Sequence, residues 1–95
     1  MPKHNGHEYR EAAEKGHLSA QHSLARMYYQ GTGVTQDYIL AHKWANLAAA
    51  KLPEKVRGNA VELRNRIALG LTREQVAEAQ KMASEWKPKK AGAVR

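Results

Sequence analysis

The side chains of this 95-residue chain that could hold a metal ion or move a proton are five histidines, eight glutamates and one aspartate, and there is no cysteine. A zinc site needs three or four ligands converging on one point, most simply two histidines one helical turn apart. His4 and His7 lie close to the N-terminus, and His17 and His22 are five positions apart, which keeps their rings off a common helical face. His42, beside Lys43, is expected on the outward side of its helix. The histidines are therefore read as surface residues, with no metal among the expectations. The glutamates are scattered over helix starts and outward positions, so no pair is set up for general acid–base work and no nucleophile has a base beside it. Asp37 is best placed to start a helix. The Gly-x-Gly at Gly31–Gly33 follows a helix rather than a strand, so it lacks the context of a phosphate loop and reads as a turn. These residues point away from an enzyme and from any cofactor, and leave binding as the chemistry to look for.

Binding residues need a scaffold, and the strongest helical patterning lies between Leu18 and Lys51. Leu24, Met27, Tyr28 and Gly31 recur at separations of three and four, one stripe of a helix. Gly31 and Gly33 allow positive φ where the chain must leave that helix and reverse. Val34 is expected to plug the apolar gap under the loop. Asp37 opens a second helix, where a carboxylate satisfies exposed amides and the positive dipole end. Ala41, Trp44, Ala45 and Ala48 then repeat the spacing, with one indole among small partners. The two helices span about 18–30 and 36–51. Such a pair cannot bury its apolar faces alone and stacks on neighbours.

Together, Ala13-x-x-Gly16, Ala20-Gln21, Leu24, Met27-Tyr28, Gly31-x-Gly33-Val34, Asp37, Ala41, Trp44 and Ala48-Ala49 resemble a Sel1-like repeat, a solenoid-forming relative of the tetratricopeptide repeat. One departure is Ala25, where the family usually has glycine; alanine should permit the packing while widening it slightly. The resemblance implies an all-α fold, a short right-handed superhelix of helix hairpins. It also implies an adaptor or scaffold in protein–protein assembly, with no catalytic residues. If Leu24, Met27 and Tyr28 face the core, then Ser19, His22, Ser23, Arg26, Tyr29 and Gln30 lie on the other face of that helix. In a fold of this kind that face is similar to the concave wall, which Asn59, Glu62 and Arg66 would extend on a later helix. These nine residues are the expected surface for a protein or peptide partner. Tyr29 and Arg26 are the expected anchors, since aromatic and guanidinium groups dominate interface energetics.

The remainder reads as flanking units of one domain, residues 1–86. Residues 7–16 are a partial repeat ending at Gly16, residues 18–51 the full repeat, and residues 53–86 a degenerate capping pair. Pro53 suits the first position of a fourth helix, reaching about Leu69, with Val56, Ala60, Leu63 and Ile67 on its apolar stripe. Gly58 inside that helix costs up to ~1 kcal/mol relative to alanine. Setting Gly70 on Gly31 pairs Leu63 with Leu24 and Ile67 with Tyr28. Polar Arg64 and Arg66 in this copy suit a terminal cap. Thr72-x-x-Gln75 is a capping box opening a fifth helix to about Trp86, with Val76, Ala79, Met82 and Ala83 on its stripe. So few repeats predict either compensation by the cap or self-association through the N-terminal end, a homodimer.

More than half of the formal net charge of +7 sits in residues 87–95, which hold Lys87, Lys89, Lys90 and Arg95 and no acid; they read as a flexible basic tail. The rest of the surface carries an ordinary balance, so binding of nucleic acid or another polyanion through Arg/Lys-rich surface is the alternative rather than the main reading. Met1–Arg10 has no apolar core of a signal peptide, and no run approaches the ~18 apolar residues needed to span a bilayer. The expectation is a cytoplasmic protein with no membrane partner.

Overall fold

A computed structural model describes residues 6–89 as five helices: α1 (Gly6–Glu14), α2 (Leu18–Gln30), α3 (Tyr38–Lys51), α4 (Glu54–Ala68) and α5 (Arg73–Glu85). No strand occurs among the described residues. The expected helices are all present, with ends shifted by a residue or two. Asp37 is the N-cap of α3 rather than part of its first turn, accepting the Leu40 amide on Oδ1 at 3.0 Å. Pro53 stands one place earlier than expected, as the N-cap of α4. Thr72 and Gln75 close the capping box in both directions, with bonds of 2.9 and 3.1 Å.

The α2–α3 hairpin owes its reversal to Gly31 and Gly33, at φ of 74° and 78°. The Gly31 amide donates to the Met27 carbonyl at 2.7 Å, and the Asp37 amide to that of Tyr28 at 2.9 Å, so the orphan carbonyls of α2 are met inside the loop. Val34 packs beneath it on the core. Gly70 turns the chain between α4 and α5 for another reason: its φ is not positive, but a β-carbon there would lie 2.6 Å from Cε2 of Tyr38. The two glycines that align in sequence thus do different work, one conformational and one steric.

α3 is the centre of the molecule. α2 packs on one side of it, α4 and α5 each lie on it elsewhere, and α1 closes against α2. The capping pair covers α3 with both helices rather than folding α4 and α5 mainly onto each other. Leu24, Tyr28, Trp44 and Ile67 form the bulky core, set among buried Ala13, Ala20, Ala25, Ala41 and Ala45. A second cluster, Ala48, Ala49, Leu52 and Ala60, joins α3 to α4. Alanines at these contacts let helix axes approach closely. Trp86 meets the Trp44 indole edge to face, with centroids 6.0 Å apart at 74°, and so fastens the end of α5 to α3.

Three expectations are corrected. His42 does not face outward: it is 2% exposed, and burial first, then the nearby Arg64 guanidinium, holds its pKa below the ordinary histidine value. Alanine-rich neighbours leave α3 hydrophobic nearly all round, so its central position buries a residue that an amphipathic pattern would expose. Val56, expected in the core, is 43% exposed, and so is the whole start of α4 around it, whose first buried residue is Ala60. The start of the basic tail is held: the Lys89 amide donates to the Glu14 carbonyl at 2.6 Å, and its Nζ lies 3.5 Å from the Glu14 carboxylate. Lys90 to Arg95, like His4, lie outside the described residues.

Candidate functional site

α2 and α4 lie side by side across α3 and touch only along an edge, which leaves a groove of about 360 Å³ between them. The groove is lined by His22, Arg26, Tyr29 and Gln30 from α2 and by Asn59, Glu62, Leu63 and Arg66 from α4. Seven of the nine expected partner-facing residues therefore share one concavity. Ser19 and Ser23 do not: they line a separate hollow with Glu8, Tyr9, Ala12 and Ala20, on the side of α2 towards α1. The reason lies in helix geometry. At about 100° per residue, His22 and Tyr29 fall on one flank of the exposed arc of α2 and Ser23 on the other, with Arg26, Ser19 and Gln30 between them, Ser19 about two turns nearer the start of the helix than Arg26. Arg26 and Gln30 also line the neighbouring hollow with Ser23, so they form the ridge between two depressions. Leu63, read from sequence as core alone, also lines the groove while packing on the core. Its place at the edge of the apolar stripe of α4, one position from Glu62, was the available signal.

The Tyr29 ring is half-buried and packs against Tyr38 of α3, with centroids 5.4 Å apart at 41°. The Gln36 side-chain amide donates to the Tyr29 carbonyl at 2.9 Å, which fixes the end of α2 at the mouth of the loop. Because Tyr38 in turn meets Gly70, the groove residue Tyr29 is supported by a chain of close contacts that reaches the α4–α5 turn. Tyr29 is thus part anchor and part strut. On the opposite wall, Glu62 and Arg66 stand 3.6 Å apart, one turn from each other and both largely exposed. Such a pair contributes at most ~1 kcal/mol. Partial burial, then the Arg26 charge, lowers the pKa of His22 below the usual value, so its ring is neutral at neutral pH. Arg26 itself is exposed and pairs with no carboxylate among the described residues.

The groove offers hydrogen-bond donors and acceptors suited to binding. Its polar groups are a guanidinium, amides, a phenol, a neutral imidazole and one ion pair, with no nucleophile beside a base. Among the described residues, no group of three or more His, Asp or Glu side chains could hold a metal ion. None of the described helices is long and apolar enough to cross a membrane. Sequence reasoning missed Gln21, which is 1% exposed and donates from Nε2 to the Ala13 carbonyl at 3.1 Å, tying α2 to the end of α1. It belongs to the fold rather than to the groove, and its pairing with Ala20 in the motif was the clue.

Residues 18–51 match the Sel1 repeat, covering α2, the glycine loop and α3. A curated relative, an exopolysaccharide production negative regulator of Rhizobium leguminosarum bv. viciae, is 57% identical over 35 residues. That stretch is 37% of this chain and 13% of the regulator, so the chain spans only a small part of that relative's length. No solved structure matches significantly. Sel1 repeats are helical-hairpin units that generally serve as protein–protein interaction modules and non-enzymatic scaffolds. The likeness to the Sel1 repeat thus rests on the hairpin at the centre of this fold, residues 18–51.

Proposed function

We propose that this chain is a non-enzymatic adaptor that binds a protein or peptide partner in the groove between α2 and α4. Residues 1–86 act as one repeat domain, with 7–16 as a partial repeat and 53–86 as the cap. The observation that carries this reading is the convergence of His22, Arg26, Tyr29, Gln30, Asn59, Glu62 and Arg66 on one concavity. A groove of about 360 Å³ that is open along its length suits a few residues of extended peptide better than an enclosed small molecule. Guanidinium and aromatic groups, supplied here by Arg26 and Tyr29 on the α2 wall, are the usual carriers of interface energy.

The test begins with affinity capture on the full chain, followed by titration of the purified partner against Arg26→Ala combined with Asn59→Ala. Both side chains are exposed, so helicity and melting should stay at parental values while affinity falls by about tenfold or more. Unchanged affinity in a folded variant removes the groove from the reading. Self-association at the N-terminal end forms part of the same proposal. The hollow lined by Tyr9, Ala12, Ser19, Ala20 and Ser23 is the surface for it, and a monomer in light scattering across micromolar concentrations rejects it.

A further inference from the structure

We propose that the α2–α4 groove takes an acidic segment of extended peptide, with Asp or Glu side chains seated on Arg26 and on the amides of Asn59 and Gln30. This rests on the peptide-binding reading above and adds the chemistry of the partner.

The argument comes from how the arginines of these two helices are employed. On α4, the Arg57 Nε donates to the Leu52 carbonyl at 3.0 Å, closing the end of α3. Arg64 reaches the Asn46 side chain at 3.4 Å, and Arg66 pairs with Glu62 at 3.6 Å. Arg26, on the ridge of α2, has no such partner among the described residues. The single acid in the groove, Glu62, is already matched by Arg66, so the groove is left with one uncompensated positive charge beside His22. A cationic segment laid there would be repelled by the guanidinium, and a neutral one would offer it only uncharged acceptors, whose hydrogen bonds are weaker. A carboxylate would receive charge-assisted hydrogen bonds from a planar fork built for it. The lining amides of Asn59 and Gln30 add donors on either side.

Nucleic acid fits this groove less well. The Tyr29 ring is engaged with Tyr38 rather than free to stack on a base, and the other groove arginine is neutralised by Glu62. A single free charge also makes no track for a regularly spaced phosphate backbone.

The experiment is fluorescence anisotropy on the full chain at physiological salt with three probes. These are an acetylated, amidated peptide alternating Glu and Ser, its Gln/Ser counterpart, and a short single-stranded oligonucleotide. Capping both peptide ends leaves side-chain carboxylates as the sole source of negative charge. The Glu peptide should bind about tenfold tighter than the Gln peptide. Arg26→Gln should remove most of that advantage, and Arg73→Gln, on exposed α5 away from the groove, should leave it. Equal binding of the two peptides overturns the proposal. So does an Arg73→Gln effect as large as that of Arg26→Gln, tighter groove binding of the oligonucleotide, or failure of the Glu peptide to bind. Binding of the Gln peptide that is lost in Asn59→Ala keeps the groove as a peptide site while rejecting its acidic preference. Binding of the Glu peptide that no groove substitution alters rejects both.

Discussion

Two glycines in the C-terminal half should respond to the same substitution with opposite signs. Gly58 lies inside α4 on its exposed side, with helical backbone and nothing within 4 Å of a β-carbon built on it. Gly58→Ala therefore adds no clash, limits the unfolded chain and improves helix propensity, for a gain of about 0.5–1 kcal/mol. In a domain of this size that raises the melting temperature by several degrees, at roughly 4–8 °C per kcal/mol. Gly70 is the opposite case: an added β-carbon falls 2.6 and 2.8 Å from Cε2 and Cδ2 of Tyr38. The ring cannot swing away freely because it also packs against Tyr29. Gly70→Ala should cost about 1–3 kcal/mol, the usual range for overpacking. Because the displaced ring supports Tyr29, it should also weaken partner binding in the groove. Thermal unfolding followed by far-UV circular dichroism reads both signs in one series. A destabilised Gly58→Ala protein, or a Gly70→Ala protein as stable as the parent, would falsify the packing of α4 and of the α4–α5 turn described above.

Other perturbations probe the centre of the fold. Trp44 is 2% exposed and meets Trp86, so Trp44→Ala should cost ~3–5 kcal/mol and leave the chain largely unfolded in circular dichroism; a native-like spectrum and melt would count against the core. His42 and His22 both have folded-state pKa values below the ordinary 6.5, so the unfolded chain binds more protons as pH falls past that value. Stability should therefore be full above about pH 7 and decline through about pH 6 towards the lowered folded values, in denaturant titrations at stepped pH. Replacing both with glutamine should flatten that decline, and an unaltered slope would assign the loss to other groups.

Much of the fold was legible because it is written in local rules. The three–four spacing of Leu24, Met27 and Tyr28, the glycines of the α2–α3 loop, Asp37 and the Thr72–Gln75 box each act within a few residues of their own position. So they fix helices and caps without reference to the rest of the chain. The resemblance to the Sel1 repeat then gave the expectation that α2 turns back on α3. Half of the site followed from the same geometry: once Leu24 and Tyr28 point inward, Arg26 and Gln30 must point outward.

Which outward residues share a groove was decided only by the tertiary structure. Local rules give α2 one exposed arc, but the placement of α4 on α3 divides it. His22 and Tyr29 go to a groove with Asn59 and Arg66, and Ser19 and Ser23 to a separate hollow. Burial of His42, exposure of Val56 and the steric role of Gly70 are likewise properties of neighbours brought together from distant positions. A single chain records the angle of each side chain about its own helix axis. It does not record the distance to the next helix, and burial, charge balance and groove shape all depend on that distance.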